Sequence, residues 1–100
     1  MNKYQERVFK KGMETGARIV FPETSDKRVQ KAIIELTSLG FNIVYNEDFQ
    51  DNYNTYLEYI NKLPFTDNWP IENLHEYLNN SLHYSMAMVA CHDADGLIAG

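Results

Sequence analysis

One hundred residues carry nine Lys and Arg against fourteen Asp and Glu, a net charge of −5 with a pI near 5.0. That balance argues against a nucleic-acid partner, because phosphate binding needs a basic patch, and no apolar run approaches the ~20 residues that span a bilayer. A chain this short buries roughly 60–65% of its unfolded surface, and its 44% hydrophobic share fits a single globular unit or part of a larger one.

Asn2 to Thr15 lacks the apolar centre of a signal peptide. Cys91 is the single cysteine, so no internal disulfide forms, and a reducing cytoplasm is the expected location. The same stretch, Asn2 to Thr15, is predicted to be a helix, with Tyr4 and Val8, then Phe9 and Met13, at i, i+4. Gly12 weakens its last turn by about 1 kcal/mol relative to Ala, and Gly16 stops it. This helix is expected to cover a sheet built from the later strands.

Arg18 to Tyr45 reads strand, turn, helix, turn, strand. Arg18-Ile19-Val20-Phe21 is β-prone and Pro22 stops it. Thr24 and Ser25 offer hydroxyl caps, and Asp26 places a negative charge in the first helical turn. Val29, Ala32, Ile33, Leu36 and Leu39 then make one apolar stripe at helical spacing. Gly40 stands where a helix ends in a left-handed residue. Two strands joined by such a helix form a right-handed crossover and run parallel.

From Asn46 to Asn54 a polar, turn-rich loop is expected. Tyr53, Tyr56, Leu57 and Ile60 form the buried stripe of a short helix ending at Pro64, a surface helix anchored by tyrosines. Pro70 suits a first helical turn. From Ile71 the spacing stays helical through Leu74, Tyr77, Leu78, Leu82, Ser85, Met86, Val89 and Ala90. Asn79-Asn80-Ser81 is poor in helix propensity, so either a kink or two helices meet there. The half from Leu82 to Cys91 is apolar on most sides, which predicts burial. His92 to Gly96 is a turn and Leu97-Ile98-Ala99 a short strand. The predicted class is α/β, with strands at 18–21, 42–45 and 97–99 and helices on both faces of a mainly parallel sheet.

Chemistry-bearing motifs are sparse. No G-x-G-x-x-G follows the first strand; Pro22-Glu23-Thr24 stands there instead. Proline lacks an N–H, and Glu23 and Asp26 bring negative charge where a dinucleotide pyrophosphate would sit. His75-Glu76 opens like H-E-x-x-H, but Asn79 replaces the second histidine. Cys91, His92, Asp93 and Asp95 are nearly consecutive, and no second cluster completes a metal shell. The basic groups Arg7, Lys10, Lys11 and Lys27, Arg28, Lys31 are offset by acidic neighbours, as on a solvated helix face. Glu23, Asp26 and Arg28 carry two readings. One is a local ion pair fixing the turn, worth at most ~1 kcal/mol if exposed. The other is the lining of a cleft beyond the strand's carboxyl end.

Two distant stretches belong together. Arg18-Ile19-Val20-Phe21-Pro22-Glu23-Thr24, with Asp26, Arg28 and Val29, is followed by Met86-Ala87-Met88-Val89 and then Asp93-Ala94-Asp95-Gly96-Leu97-Ile98-Ala99-Gly100. This combination resembles the amino-terminal portion of the phosphate acetyl/butyryl transferases (phosphotransacetylases). That family has a strand, a Pro-Glu turn, an acidic residue, an Arg and a helix. Later it has a Met-rich helix, Gly-Asp/Glu-x-Asp-Gly, an apolar strand and a small-Gly-Ala ending. The chain departs from the pattern at His92, where the family has Gly, and at Asp67-Asn68, where it has Lys-Gly; its middle loop is also shorter.

The resemblance implies a three-layer α/β sandwich of the isocitrate/isopropylmalate dehydrogenase-like kind, incomplete here. It implies transfer of an acetyl or short acyl group between coenzyme A and inorganic phosphate. The substrates are acetyl-CoA, phosphate and acetyl phosphate, with no tightly bound cofactor. In the family the catalytic Arg/Ser/Asp set comes mainly from later in the chain, so none maps here. The expectation is an amino-terminal segment, truncated after Gly100 and inactive without the missing carboxyl-terminal part. Candidate cleft residues are Glu23, Asp26, Arg28, Asp95, Gly96 and Gly100. The competing reading is a non-catalytic remnant, a binding or assembly module pairing with a separately encoded remainder or with itself as a homodimer.

Overall fold

In a computed structural model the described residues are 16–99; the helix expected over Asn2–Thr15 and the candidate Gly100 lie outside them. Strand β1 (Arg18–Val20) sits at the centre of a three-stranded sheet. Ile19 and Phe21 point to one face, against Leu36 and Phe41, while Val20 points to the other, against Tyr56, Leu78 and Met88. The alternation is the two-residue period of a strand. All three side chains are buried, as a parallel strand covered on both faces requires.

Helix α1 (Lys27–Ser38) covers the first face through Val29, Ala32, Ile33 and Leu36. Its cap is not Thr24 or Ser25. Asp26 itself stands at the N-cap with extended backbone, and its carboxylate accepts from the Arg28 N–H at 2.7 Å. A charged acceptor facing the helix dipole outcompetes a hydroxyl. At the other end Gly40 has φ +96°. Its N–H donates to the Thr37 carbonyl and the Phe41 N–H to the Leu36 carbonyl, both at 3.1 Å. These two bonds, with Phe41 packed on Leu36, form a Schellman ending that turns the chain into β2 (Asn42–Val44). β2 runs parallel to β1, with Ile19 opposite Ile43.

The stretch after β2 is ordered more than its composition suggests. Asn46–Asn52 forms a 3₁₀ segment broken at Phe49 (φ −121°, ψ 22°). Phe49 packs against the core and its carbonyl accepts from the Tyr84 hydroxyl at 2.7 Å. Helix α2 (Tyr53–Asn61) buries Tyr56 and Ile60. Pro64 opens a 3₁₀ turn, Pro64–Thr66, in which the buried Thr66 hydroxyl donates to the Ile60 carbonyl.

Of the two alternatives beyond Pro70, the structure shows two helices, α3 (Ile71–Leu78) and α4 (Ser81–Ala90). Asn80 breaks between them with ψ 128°, and its side-chain oxygen accepts from the N–H groups of Leu82 (3.0 Å) and His83 (3.1 Å). The weak propensity at this point is therefore a cap. The buried face of α4 differs from the spacing expectation. Leu82 and Met86 are 38% and 46% exposed, and Tyr84, Ser85, Ala87 and Met88 are buried. The small Ser85 and Ala87 let the helix approach closely, and Asn46 accepts from the Ser85 hydroxyl at 2.7 Å, so its polar atom is satisfied.

Strand β3 (Gly96–Leu97) pairs parallel with β1 on the side away from β2, giving the order β2-β1-β3. With α1 on one face and α2 to α4 on the other, the described residues form a mixed α/β unit around a small parallel sheet. Among the described residues no helix is long and apolar enough to cross a membrane.

Candidate functional site

A parallel sheet sends all its carboxyl ends to one edge, and in α/β folds ligands bind beyond that edge. Pro22 and Glu23 follow β1, Asn46 and Glu47 follow β2, and Ile98 and Ala99 follow β3. Two adjoining clefts open among them, sharing Pro22 and Ser81. The first, about 440 Å³, is walled by Glu23, Asp26, Arg28, Asn80, His83 and Ile98 among others. The second, about 450 Å³, is walled by Asn46, Glu47, Gln50, Tyr53, Asn79 and Tyr84 among others.

Three of the candidates read from the sequence, Glu23, Asp26 and Arg28, meet in the first cleft. The Arg28 guanidinium lies 3.3 Å from the Asp26 carboxylate, but its side chain is 93% exposed, so the pair contributes little to stability. The backbone N–H of Arg28, and then its guanidinium, hold the Asp26 carboxyl below its usual value. Asp95 and Gly96 stand at the opposite edge, where β3 begins beside Arg18. Asp95 accepts from the Arg18 N–H at 2.8 Å and pairs with its guanidinium at 3.3 Å. Gly96 packs tightly on β1; a Cβ there would lie 3.2 Å from the end of Ile19.

The amino ends of α1 and α4 both border the first cleft, but their caps already use the N–H groups of Arg28, Leu82 and His83. An anion would have to displace a carboxylate at α1. The walls add Glu23 to the first cleft, beside the exposed Arg28 guanidinium, and Glu47 to the second.

Sequence reasoning did not find Asn80, Ser81 and His83 as cleft residues. They border it because α4 starts at the sheet's carboxyl edge, a tertiary fact with no local signal. Further polar side chains tie the helix layer together, Tyr53 and Tyr84 while also lining the second cleft. Tyr53 OH and His75 Nδ1 are hydrogen-bonded at 2.6 Å and their rings stack. Asp93 accepts from the Tyr56 hydroxyl and, at 3.0 Å, from Asn52. Burial, then the Asp93 carboxylate, pushes the Tyr56 phenol well above its ordinary value. Burial also raises Tyr84 and the half-buried Cys91 thiol. Among the described residues no three His, Cys, Asp or Glu side chains are placed to hold a metal ion.

No protein-family model matches the chain, and no curated protein matches it.

Proposed function

We propose that this chain is the leading portion of a phosphate acyltransferase of the phosphotransacetylase kind. One observation carries the reading. Among the described residues, the non-glycine positions with left-handed backbone are Asn68 (φ +64°) and His92 (φ +67°). These are the two places where the resembled family's pattern has glycine and this chain does not. Glycine is the residue such a backbone selects. In this reading both turns keep the backbone geometry that the family fills with glycine. A second support is spatial. The Arg18 and Asp95-Gly96 stretches that carry the resemblance pair as adjacent parallel strands.

In this reading the sheet belongs to a three-layer sandwich of the isocitrate/isopropylmalate dehydrogenase-like kind. The chemistry is attack of the coenzyme A thiolate on an acyl phosphate, with inorganic phosphate leaving, or the reverse. The donors that stabilise the tetrahedral oxyanion, and the base for the thiol, come mainly from a following part of the enzyme. The acidic clefts here form one wall and do not hold the phosphate. The purified chain then makes no acetyl phosphate from acetyl-CoA and phosphate, and mixing it with the carboxyl-terminal portion of a phosphotransacetylase yields a stable complex. Turnover by the chain alone, or no association, counts against the proposal.

A second reading, a non-catalytic assembly module, is favoured by the exposed apolar side chains of Leu82, Met86 and Ile98. Under it, association occurs and the assembled pair remains inactive.

A further inference from the structure

Phe65 is 56% exposed, yet its ring is packed on two others. Its centroid lies 5.9 Å from Trp69 and 5.8 Å from Tyr77, and those two are 5.9 Å apart. The planes are inclined by 73°, 57° and 73° in the same order. Local structure assembles the three. Asn68, with φ +64°, turns the chain between Phe65 and Trp69, and the Trp69 N–H donates to the Thr66 carbonyl at 3.0 Å. His83 stacks on Tyr77, with centroids 3.8 Å apart and planes 11° from parallel, which fixes the plane of the third ring. Trp69 and Tyr77 also pack against the core, whereas Phe65 keeps more than half of its surface in water, so burial alone does not account for its place.

The surroundings set what these rings can hold. With the three centroids so close, an ion resting over their middle comes within about 6 Å of each, the reach of a cation–π contact. Among the described residues no Lys or Arg contacts the rings, and Lys62, close in sequence, pairs with Glu58 at 3.8 Å. Charge favours a cation. Asp67 stands in the chain between Phe65 and Trp69, and Glu76 beside Tyr77; both are exposed, and neither joins an ion pair among the described residues. The kind of cation follows from what the rings lack. Aromatic faces carry no lone pair to replace the water that an ammonium or guanidinium N–H gives up. A quaternary ammonium has no N–H, and its methyl groups make apolar contact while its charge meets the rings. We propose that Phe65, Trp69 and Tyr77 form a binding site for a quaternary ammonium group, with Asp67 and Glu76 supplying the negative field around it. The site does not depend on the acyltransferase reading.

Choline is the probe, titrated into the full chain, and its neutral analogue, in which carbon replaces the nitrogen, is the control. Trp69 is the single tryptophan, so its fluorescence reports the site directly. Choline is expected to change that emission saturably and to bind about tenfold more tightly than the neutral analogue, the worth of a few exposed cation–π contacts. Phe65→Leu keeps apolar bulk but removes one ring; it should cut the advantage of choline several-fold and leave the neutral analogue unchanged. A short peptide carrying trimethyllysine, run beside choline, separates a side-chain source of the group from a free one, and the tighter binder names the source. No saturable response to choline or the peptide, equal binding of choline and the neutral analogue, or an undiminished advantage in Phe65→Leu overturns the inference. The charged and neutral ligands are compared on the unaltered chain, so misfolding of the variant does not blunt the test.

Discussion

Arg18 and Asp95 hold each other by main chain and side chain at once. The Asp95 N–H donates to the Arg18 carbonyl at 2.7 Å, while the Arg18 N–H donates to the Asp95 carboxylate at 2.8 Å. The guanidinium adds an ion pair at 3.3 Å and a bond to the His92 carbonyl at 2.7 Å. A two-residue strand has little ladder of its own, so this clasp sets where β3 meets β1.

Removing the carboxylate takes away the partner of a backbone N–H as well as the ion pair. Asp95→Ala is expected to lower stability by about 1–2 kcal/mol, most of it from the N–H, because both side chains are near half exposed. Asp95→Asn keeps an oxygen for the Arg18 N–H and should recover at least half of the loss. Urea unfolding followed by circular dichroism measures both.

His92 carries a left-handed backbone at the end of α4. The Asp93 N–H donates to the Met88 carbonyl at 2.8 Å and the His92 N–H to the Val89 carbonyl at 3.1 Å, a Schellman ending. A Cβ in that conformation costs roughly 1–2 kcal/mol. His92→Gly is therefore expected to stabilise the chain by about 1 kcal/mol, and Asn68→Gly by less, since Asn tolerates the conformation. A lower urea midpoint for His92→Gly would contradict the backbone assigned to this turn.

Tyr56 gives a pH signature. Its phenol is raised in the folded state, so its contribution is fully present below the unfolded-chain value near 10 and is lost as pH rises beyond it. Stability should fall on the alkaline side of about pH 10, more steeply in the wild type than in Tyr56→Phe. At neutral pH Tyr56→Phe should cost about 1–3 kcal/mol, because it deletes a buried hydroxyl's bond to Asp93.

The two sides of the α3–α4 pair should respond differently. Leu78 is fully buried, and Leu78→Ala is expected to cost about 2–5 kcal/mol. Leu82→Gln and Met86→Gln remove exposed surface and should each stay within about 0.5 kcal/mol of wild type. Thermal unfolding of the three variants side by side makes the comparison.

What was legible in the sequence was local. Val20, the α1 residues Val29, Ala32, Ile33 and Leu36, and Gly40 follow period and turn chemistry, so β1, α1 and β2 emerge almost as expected; Leu39, expected in the same stripe, is 46% exposed because the helix has ended there. Asn46–Asn52 looked like a loop because its order comes from distant groups, the Tyr84 hydroxyl on the Phe49 carbonyl and Ser85 on Asn46. The buried face of α4 follows the expected spacing at Ser85 but not at Leu82 and Met86, for a related reason. A helix apolar on most sides has no stripe to choose by, and Tyr84, Ser85, Ala87 and Met88 take the buried face while Leu82 and Met86 stay exposed. At the site, Glu23, Asp26 and Arg28 followed from the strand-end rule. His83 did not, because it reaches the cleft only through the placement of α4 at the sheet's carboxyl edge.

The most direct test is a hybrid in which residues 1–100 of this chain replace the corresponding leading segment of an active phosphotransacetylase. Acetyl phosphate formation from acetyl-CoA and phosphate is then measured beside the chain alone. The expected result is turnover by the hybrid and none by the isolated chain. A hybrid that unfolds cooperatively yet forms no acetyl phosphate would contradict the acyltransferase assignment.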